Sequence, residues 1–306
     1  MNKVLVVHYS QTGQLDSITK QFTQPLVSAP DIEVTFENLC PEQPFPFPWP
    51  FLTFLDTFPE CVYRDPPALK EPIVSADDDF DLVVLAYQVW FLSPSMPMTA
   101  FLQHPRAASL LKDKPVVTLI GCRNMWLMAQ EDMKQMLDGL GARLAGNVAL
   151  VDEAGSFLSF FATPLWMLTG RQGPFLGGRI PRAGVSQRDI TGCDRFGIRI
   201  RERLQAGNAL DETLLRGLHA VTVDDRLISS ERTGKRAFRL WGRLLRAVGP
   251  AGSWQRRPVL AFYSVFLIAM ILTVVPLGVL VRKITAPLTR KRIAHLRARF
   301  AAPSGE

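Results

Sequence analysis

Residues 4–9 (VLVVHY) form a β-branched apolar run of strand length, followed at once by Ser10, Gln11, Thr12, Gly13 and Gln14. A helix-like segment, residues 16–22, comes next. An apolar run without polar alternation is buried on both faces, as in a parallel sheet. Parallel strands need a crossover, so a strand leading straight into a helix commits the chain to β-α-β units. Small hydroxyl residues and a glycine at such a junction aim backbone N–H groups and the helix N-terminus at one spot, which suits a phosphate. The alternative is an ordinary strand-to-helix connection, because Ser, Thr and Gly are common in turns.

The same alternation continues along the chain. Residues 32–37, 81–87 (DLVVLAY), 115–121 (PVVTLIG) and 143–152 read as strands. Residues 98–103, 129–140 and 193–206 read as helices. This predicts an α/β domain over residues 1–207, with a doubly wound parallel sheet of about five strands and a ligand site beyond their carboxyl ends. Two insertions interrupt it, near 41–67 and 153–190. The first has prolines at 44, 46, 48 and 50 interleaved with Phe45, Phe47, Trp49 and Phe51. Those prolines forbid an ordinary helix and favour an extended path. The second contains FLSFFATPLWML at 157–168, too short to span a bilayer alone. Both insertions are read either as covers for the sheet or as walls of an apolar channel.

Charge divides the chain near Glu231. Residues 1–231 carry 20 Lys/Arg against 27 Asp/Glu, and residues 232–303 carry 15 Lys/Arg and no acid. After a connector at 208–231, a basic amphipathic helix is expected within 232–257. There Lys235, Arg236, Arg239, Arg243 and Arg246 alternate with Phe238, Leu240, Trp241, Leu244 and Leu245. This is the pattern of a helix lying on an anionic membrane. Residues 258–281 are 24 residues without a charge, enough for a transmembrane or membrane-embedded segment. A basic tail, 282–306, follows. Both flanks of the run are basic, so the side on which Arg290 to Arg299 lie stays open. The uncharged run argues against nucleic acid as the tail's partner and for membrane lipid. Cys40, Cys61, Cys122 and Cys193 show no CxxC spacing, and with four histidines no zinc pattern arises. No basic and apolar leader precedes the first strand, so the body is expected at the cytoplasmic face of the inner membrane, with reduced thiols.

Three strand-end loops carry the candidate site: Ser10 to Gln14, then Gln88 to Pro97 with Met98 to Leu102 following, then Gly121 to Trp126. The first resembles the phosphate loop of flavodoxin-like proteins, which hold the 5′-phosphate of FMN. The second resembles the loop of flavodoxin-like reductases that flanks the isoalloxazine ring, and Ala100-Phe101-Leu102 matches that family's Phe-Leu helix ending. The resemblance implies FMN as cofactor. Ser10, Gln11, Thr12, Gly13 and Gln14 would hold phosphate, and Trp90, Phe91, Gly121, Arg123 and Asn124 would contact the ring. Trp90 is alternatively a lid on the core, and Arg123 is alternatively paired with an acid such as Glu131. The chain departs from the family at Leu15, where a hydroxyl is common, leaving Ser10, Thr12 and Ser17 as the hydroxyls available.

A narrower resemblance covers residues 1–230. VHYSQTGQL, FPFPWPF followed by Phe58-Pro59-Glu60, and GCRNMWLMAQE look like proteins labelled dialkylresorcinol condensing enzymes. These accompany ketosynthases in dialkylresorcinol, flexirubin and aryl-polyene-type gene clusters. That resemblance implies a long-chain acyl-derived substrate, with a ketosynthase and an acyl carrier protein as partners. Condensation needs a cysteine nucleophile with histidine, and no motif places a histidine beside Cys122. Aromatisation of a dialkyl-cyclohexane-1,3-dione removes two hydrogens, a step suited to a flavin. Arg123 is the candidate to stabilise an enolate oxygen. His8 precedes the phosphate loop and is read as structural. The other readings are an FMN-dependent NAD(P)H or quinone oxidoreductase and a flavin-free scaffold tethering a ketosynthase.

Overall fold

The computed structural model describes residues 1–152 and 155–305, with the side chains of 155–160, 271 and 274–289 outside the description. The chain runs β1 (Asn2–His8), α1 (Gln14–Val27), β2 (Ile32–Asn38), α2 (Phe51–Asp56), α3 (Phe58–Tyr63), β3 (Leu82–Trp90) and β4 (Ser93–Pro94). It continues with α4 (Met96–Gln103), α5 (Pro105–Leu111), β5 (Pro115–Cys122), α6 (Leu127–Gly139) and β6 (Arg143–Val151). Then come α7 (Gly155–Thr169), α8 (Gln187–Thr191), α9 (Asp194–Gln205), α10 (Asp225–Val248) and α11 (Arg256–Ala301).

The sheet order is β2-β1-β3-β5-β6, all parallel, with the two-residue β4 folded back antiparallel on β3. With β4 set aside, this is the flavodoxin-like doubly wound order 2-1-3-4-5. Alternate residues of each central strand feed opposite layers, because successive side chains point to opposite faces. Val4, Val6, Val84 and Ala86 pack with Leu15, Ile18, Phe22, Phe196 and Ile200 on the α1/α9 face. Leu5, Val7, Val83 and Leu85 pack with Met98, Phe101, Leu127 and Met133 on the α4/α6 face.

Helices α1 and α9 approach closely at Gly197, where an added Cβ would lie 2.0 Å from the Phe22 carbonyl oxygen. Gly197→Ala forces the two helices apart. Overpacking of this kind costs about 1–3 kcal/mol. Urea denaturation is the check, and an unchanged midpoint would refute the close approach.

The first insertion is extended only as far as its prolines. Pro50 has extended backbone (φ −62°, ψ 131°) and opens α2 immediately after it, and α3 follows. The expected non-helical path thus ends with the last of the four prolines, because past Pro50 the ring no longer blocks helical hydrogen bonds.

The basic C-terminal region also departs from expectation. Part of the apolar side of α10 faces the protein, with Leu245 buried and Phe238 and Trp241 packed against α3 and α11, while Leu240 and Leu244 are exposed. Arg246 pairs with Asp65 on the body, and Arg256 pairs with Asp56 and Glu60. Among the described residues no helix is long and apolar enough to cross a membrane. Part of the expected span, residues 271 and 274–281, has side chains outside the described residues. Both described ends of α11 are attached to one body. Arg256 is bonded to α2 and α3, and near the far end Phe300 is buried in the α4/α6 layer. Lys134 donates to the Arg299 carbonyl at 3.2 Å, and the Asn147 N–H donates to the Ser304 hydroxyl at 2.7 Å. The described ends of α11 thus contact the same body, and part of the expected segment at 258–281 lies outside the described side chains.

Candidate functional site

The carboxyl ends of β1, β3 and β5 converge with both insertions around a cleft of about 170 Å³. Its floor is the first turn of α1. Gly13 takes φ +79°, the left-handed conformation that glycine adopts without a Cβ penalty, and so lets the chain turn from strand to helix. The N–H groups of Gln11, Thr12 and Gly13 make no hydrogen bond among the described residues. The Thr12 hydroxyl accepts from the Gln14 N–H and the Ser10 hydroxyl from the Asp16 N–H, both at 3.4 Å. These long contacts are weak, so the hydroxyls can turn to an anion at little cost. Asp16, exposed in the first turn of α1, is the one group there that opposes a negative ligand.

The two glutamines of the loop are committed to the insertions. The Gln11 amide donates to the Pro46 carbonyl at 2.8 Å and accepts from the Tyr9 hydroxyl at 2.7 Å, tying down the proline-rich segment. The Gln14 amide accepts from the Val185 N–H at 3.1 Å and donates to the Val185 carbonyl at 3.4 Å. Gly184 (φ +99°) is required there, because a Cβ would meet the Gln14 amide at 2.5 Å. Asp152, at the end of β6, accepts from the Gly184 N–H at 2.8 Å and from the Thr163 hydroxyl at 3.2 Å. Side chains of the phosphate-type loop thus hold the roof, while its backbone is left for a ligand.

The walls are aromatic. Trp90 lines the cleft, with Tyr9, Phe45 and Trp49 in edge-to-face contact at 6.1, 5.0 and 5.8 Å between ring centroids. Phe91 lines it too and packs on Phe54 at 4.9 Å. Gly121 borders the cleft, but its missing Cβ serves α1: a Cβ would meet Ile18 and Leu15 side chains at 3.1 and 3.2 Å. Arg123 lines the cleft and Asn124 does not. Burial pulls the Arg123 guanidinium down to about 10, opposed by Asp152, Cys122 and Glu231. Its sulfur neighbour is Met125 at 2.9 Å. Glu131 pairs instead with Lys134 and Arg299. Burial pushes the Cys122 thiol far up, which leaves it protonated and a poor nucleophile. His8 lies outside the cleft, 3.5 Å from Asp16, and burial lowers its pKa.

Sequence reasoning missed the contributions of Gln88, Phe54, Trp166, Met167 and Asp152 to the lining. Asp152 had a signal, an acid at the carboxyl end of a strand. Gln88 Oε1 is buried without a partner and lies in the lining, an acceptor available to a ligand N–H. Trp166 and Met167 come from an insertion whose packing only the fold reveals. A second, open depression beside Arg182, Arg188 and Arg195 lies on α8 and α9. Among the described residues no cluster of metal-ligating side chains occurs.

No protein-family model and no curated protein matches this chain. Among solved structures it is similar to a flavoprotein from Lactobacillus acidophilus in complex with FMN (14% identity, 48% of this chain and 92% of that one, TM-score 0.39). It is also similar to a flavodoxin, WrbA-like protein from Agrobacterium tumefaciens (12% identity, 67% and 99%, TM-score 0.36). A flavone reductase is similar over 74% of this chain and 67% of its own, at 12% identity and TM-score 0.33.

Proposed function

We propose that this protein binds FMN and acts as a flavin-dependent oxidoreductase on an apolar ring substrate. The observation that carries the reading is one continuous site at the sheet's switch point, where a strand-to-helix loop with open backbone N–H groups leads into an aromatic cleft with a half-buried arginine. The donor set fits a phosphate monoester: N–H groups of Gln11, Thr12 and Gly13, plus the Thr12 hydroxyl. The cleft, at about 170 Å³, is smaller than the roughly 300 Å³ at the low end of ligand pockets, so a ring enters by displacing the roof. Trp90 would flank the ring, and Arg123 would stabilise negative charge developing at its edge or on a substrate oxygen. FMN when bound supplies a two-electron acceptor and donor.

The general form is an NAD(P)H or quinone oxidoreductase. The apolar roof of Phe54, Trp166 and Met167 favours a narrower substrate, a dialkyl-cyclohexane-1,3-dione that loses two electrons and two protons to become a resorcinol. Anaerobic mixing of the FMN-loaded protein with NAD(P)H or with such a dione separates the two. Bleaching of the visible flavin band by the dione alone supports aromatisation, and bleaching by NAD(P)H alone supports the general form. Bleaching by neither overturns both.

Attachment to an anionic bilayer surface is part of the reading. Leu240, Leu244, Phe262, Val265, Ile268 and Leu272 are large exposed apolar side chains on α10 and α11, and Arg236, Arg239 and Arg243 are exposed beside the first two. Basic residues near such a surface each add about 1 kcal/mol with anionic lipid. Flotation with phosphatidylserine vesicles but not with neutral ones is the expected result. Leu240→Ser with Leu244→Ser should weaken it severalfold, and equal flotation with both lipids or with neither would refute it.

A further inference from the structure

The turn that carries Trp90 and Phe91 into the cleft has an uncommon backbone. Trp90 pairs with Ser93 and Val89 with Pro94 in a two-residue hairpin between β3 and β4. Its central residues, Phe91 and Leu92, have φ +48° and +60°. Hairpins with both central φ values positive are normally built from Asn and Gly, because a Cβ there crowds the following carbonyl. Phe-Leu at these positions persists only where surrounding contacts over-determine the conformation.

Helix α10 supplies those contacts, although it lies outside the β-α-β succession. Lys235, on its third turn, is buried. Its ammonium donates to the Leu92 carbonyl at 2.9 Å and to the Ser93 hydroxyl, and pairs with the buried Asp132 of α6. One residue earlier, Gly234 gives Leu92 room: a Cβ there would meet the Leu92 side chain at 3.1 Å. One turn earlier, Glu231 accepts from the Met128 N–H at 2.9 Å and holds α10 to the start of α6. Phe238 of α10 packs on Phe91 at 5.9 Å. All three donor sites of one ammonium are engaged, and two of its partners belong to the turn.

We propose that Lys235 is a positioning residue for the cofactor cleft: from α10 it locks the 90–93 turn in its left-handed form and so sets where Trp90 and Phe91 stand against a bound ring. The consequence for a ring rests on the FMN reading above; the lock on the turn does not. The arrangement also links the basic C-terminal region to the cleft through one side chain.

The test uses the full chain with Asp132→Leu and Lys235→Met together, so that no charge is left buried and unpaired. Amide hydrogen exchange in flavin-free protein reads the turn. The expected result is exchange about tenfold or more faster in peptides covering 90–93, with β1 and β5 unchanged. FMN titration reads the cleft, and affinity is expected to fall about tenfold or more. Adding Leu92→Gly, which takes φ +60° freely, should recover most of that loss. Unchanged exchange at 90–93, uniformly faster exchange, or no recovery with glycine would each overturn the proposal. A wild-type protein that binds no FMN would overturn the cofactor reading and leave the exchange result to decide the lock on the turn.

Discussion

Thr12→Ala combined with Gly13→Val lowers the affinity for FMN by about two to four orders of magnitude and leaves riboflavin binding almost unchanged. Two losses add. Removing a hydroxyl that bonds a charged phosphate costs about 1.5–3 kcal/mol. A β-branched residue does not tolerate φ +79° at the N-cap of α1, so the loop relaxes in the free variant, and bringing its open N–H groups back together on binding costs about 1–3 kcal/mol more. Together these amount to about 2.5–6 kcal/mol, and each 1.4 kcal/mol is roughly a factor of ten. Riboflavin lacks the phosphate and reports only the ring cleft. Fluorescence-quenching titrations of wild type and variant with both ligands measure the four constants. A variant that keeps the wild-type preference for FMN over riboflavin would place the phosphate elsewhere, with the depression beside Arg182, Arg188 and Arg195 as the alternative seat.

The second large effect is a pH dependence built on Glu231. Its side chain is fully buried, and burial raises its carboxyl from 4.5 to about 7, opposed by the Met128 and Leu127 N–H groups and by Arg123. A folded-state pKa above the unfolded value means that the native state holds a proton which the unfolded chain has lost. Stability contributed by this group is therefore complete below about pH 4.5 and is lost as pH rises through about 7. Glu231→Gln keeps an acceptor for Met128 and cannot ionise. The variant is expected to gain about 2.5 kcal/mol relative to wild type between pH 5 and pH 8. Denaturant titrations across that range provide the measurement, and a constant difference between the two proteins would contradict a carboxyl that ionises in the interior. The same proton sits beside Arg123, so its loss also adds negative charge near the cleft.

The legible parts of this protein were those governed by short-range pattern. Runs such as Val4 to Val7 and Leu82 to Leu85 have little choice but to be buried on both faces, and the turn at Gly13 follows from the residues flanking it. Long-range partners were not legible. Gln11 and Gln14 stand in a phosphate-type motif, yet their amides reach Pro46 and Val185, more than thirty positions away in each case. Gly121 stands in a ligand loop, yet its missing side chain is needed by Leu15 and Ile18. Helix α10 shows its amphipathic stripe plainly, but periodicity reports only that a stripe is covered, not by what. Phe58 and Tyr263 cover its Phe238, Trp241 and Leu245, while Leu240 and Leu244 stay exposed. The 24-residue uncharged run poses the same difficulty: hydropathy marks it as greasy, and only the structure shows that the helix carrying it, α11, is attached to the body at Arg256 and at Phe300.

The central claim is that the cleft above Gly13 is a flavin site. The visible spectrum of the purified full-length chain, taken before and after addition of FMN and removal of excess by gel filtration, tests it most directly. A flavin band that stays with the protein and is lost in the Thr12→Ala, Gly13→Val variant is the result expected. A protein that remains colourless after reconstitution would contradict the account and leave a flavin-free scaffold in its place.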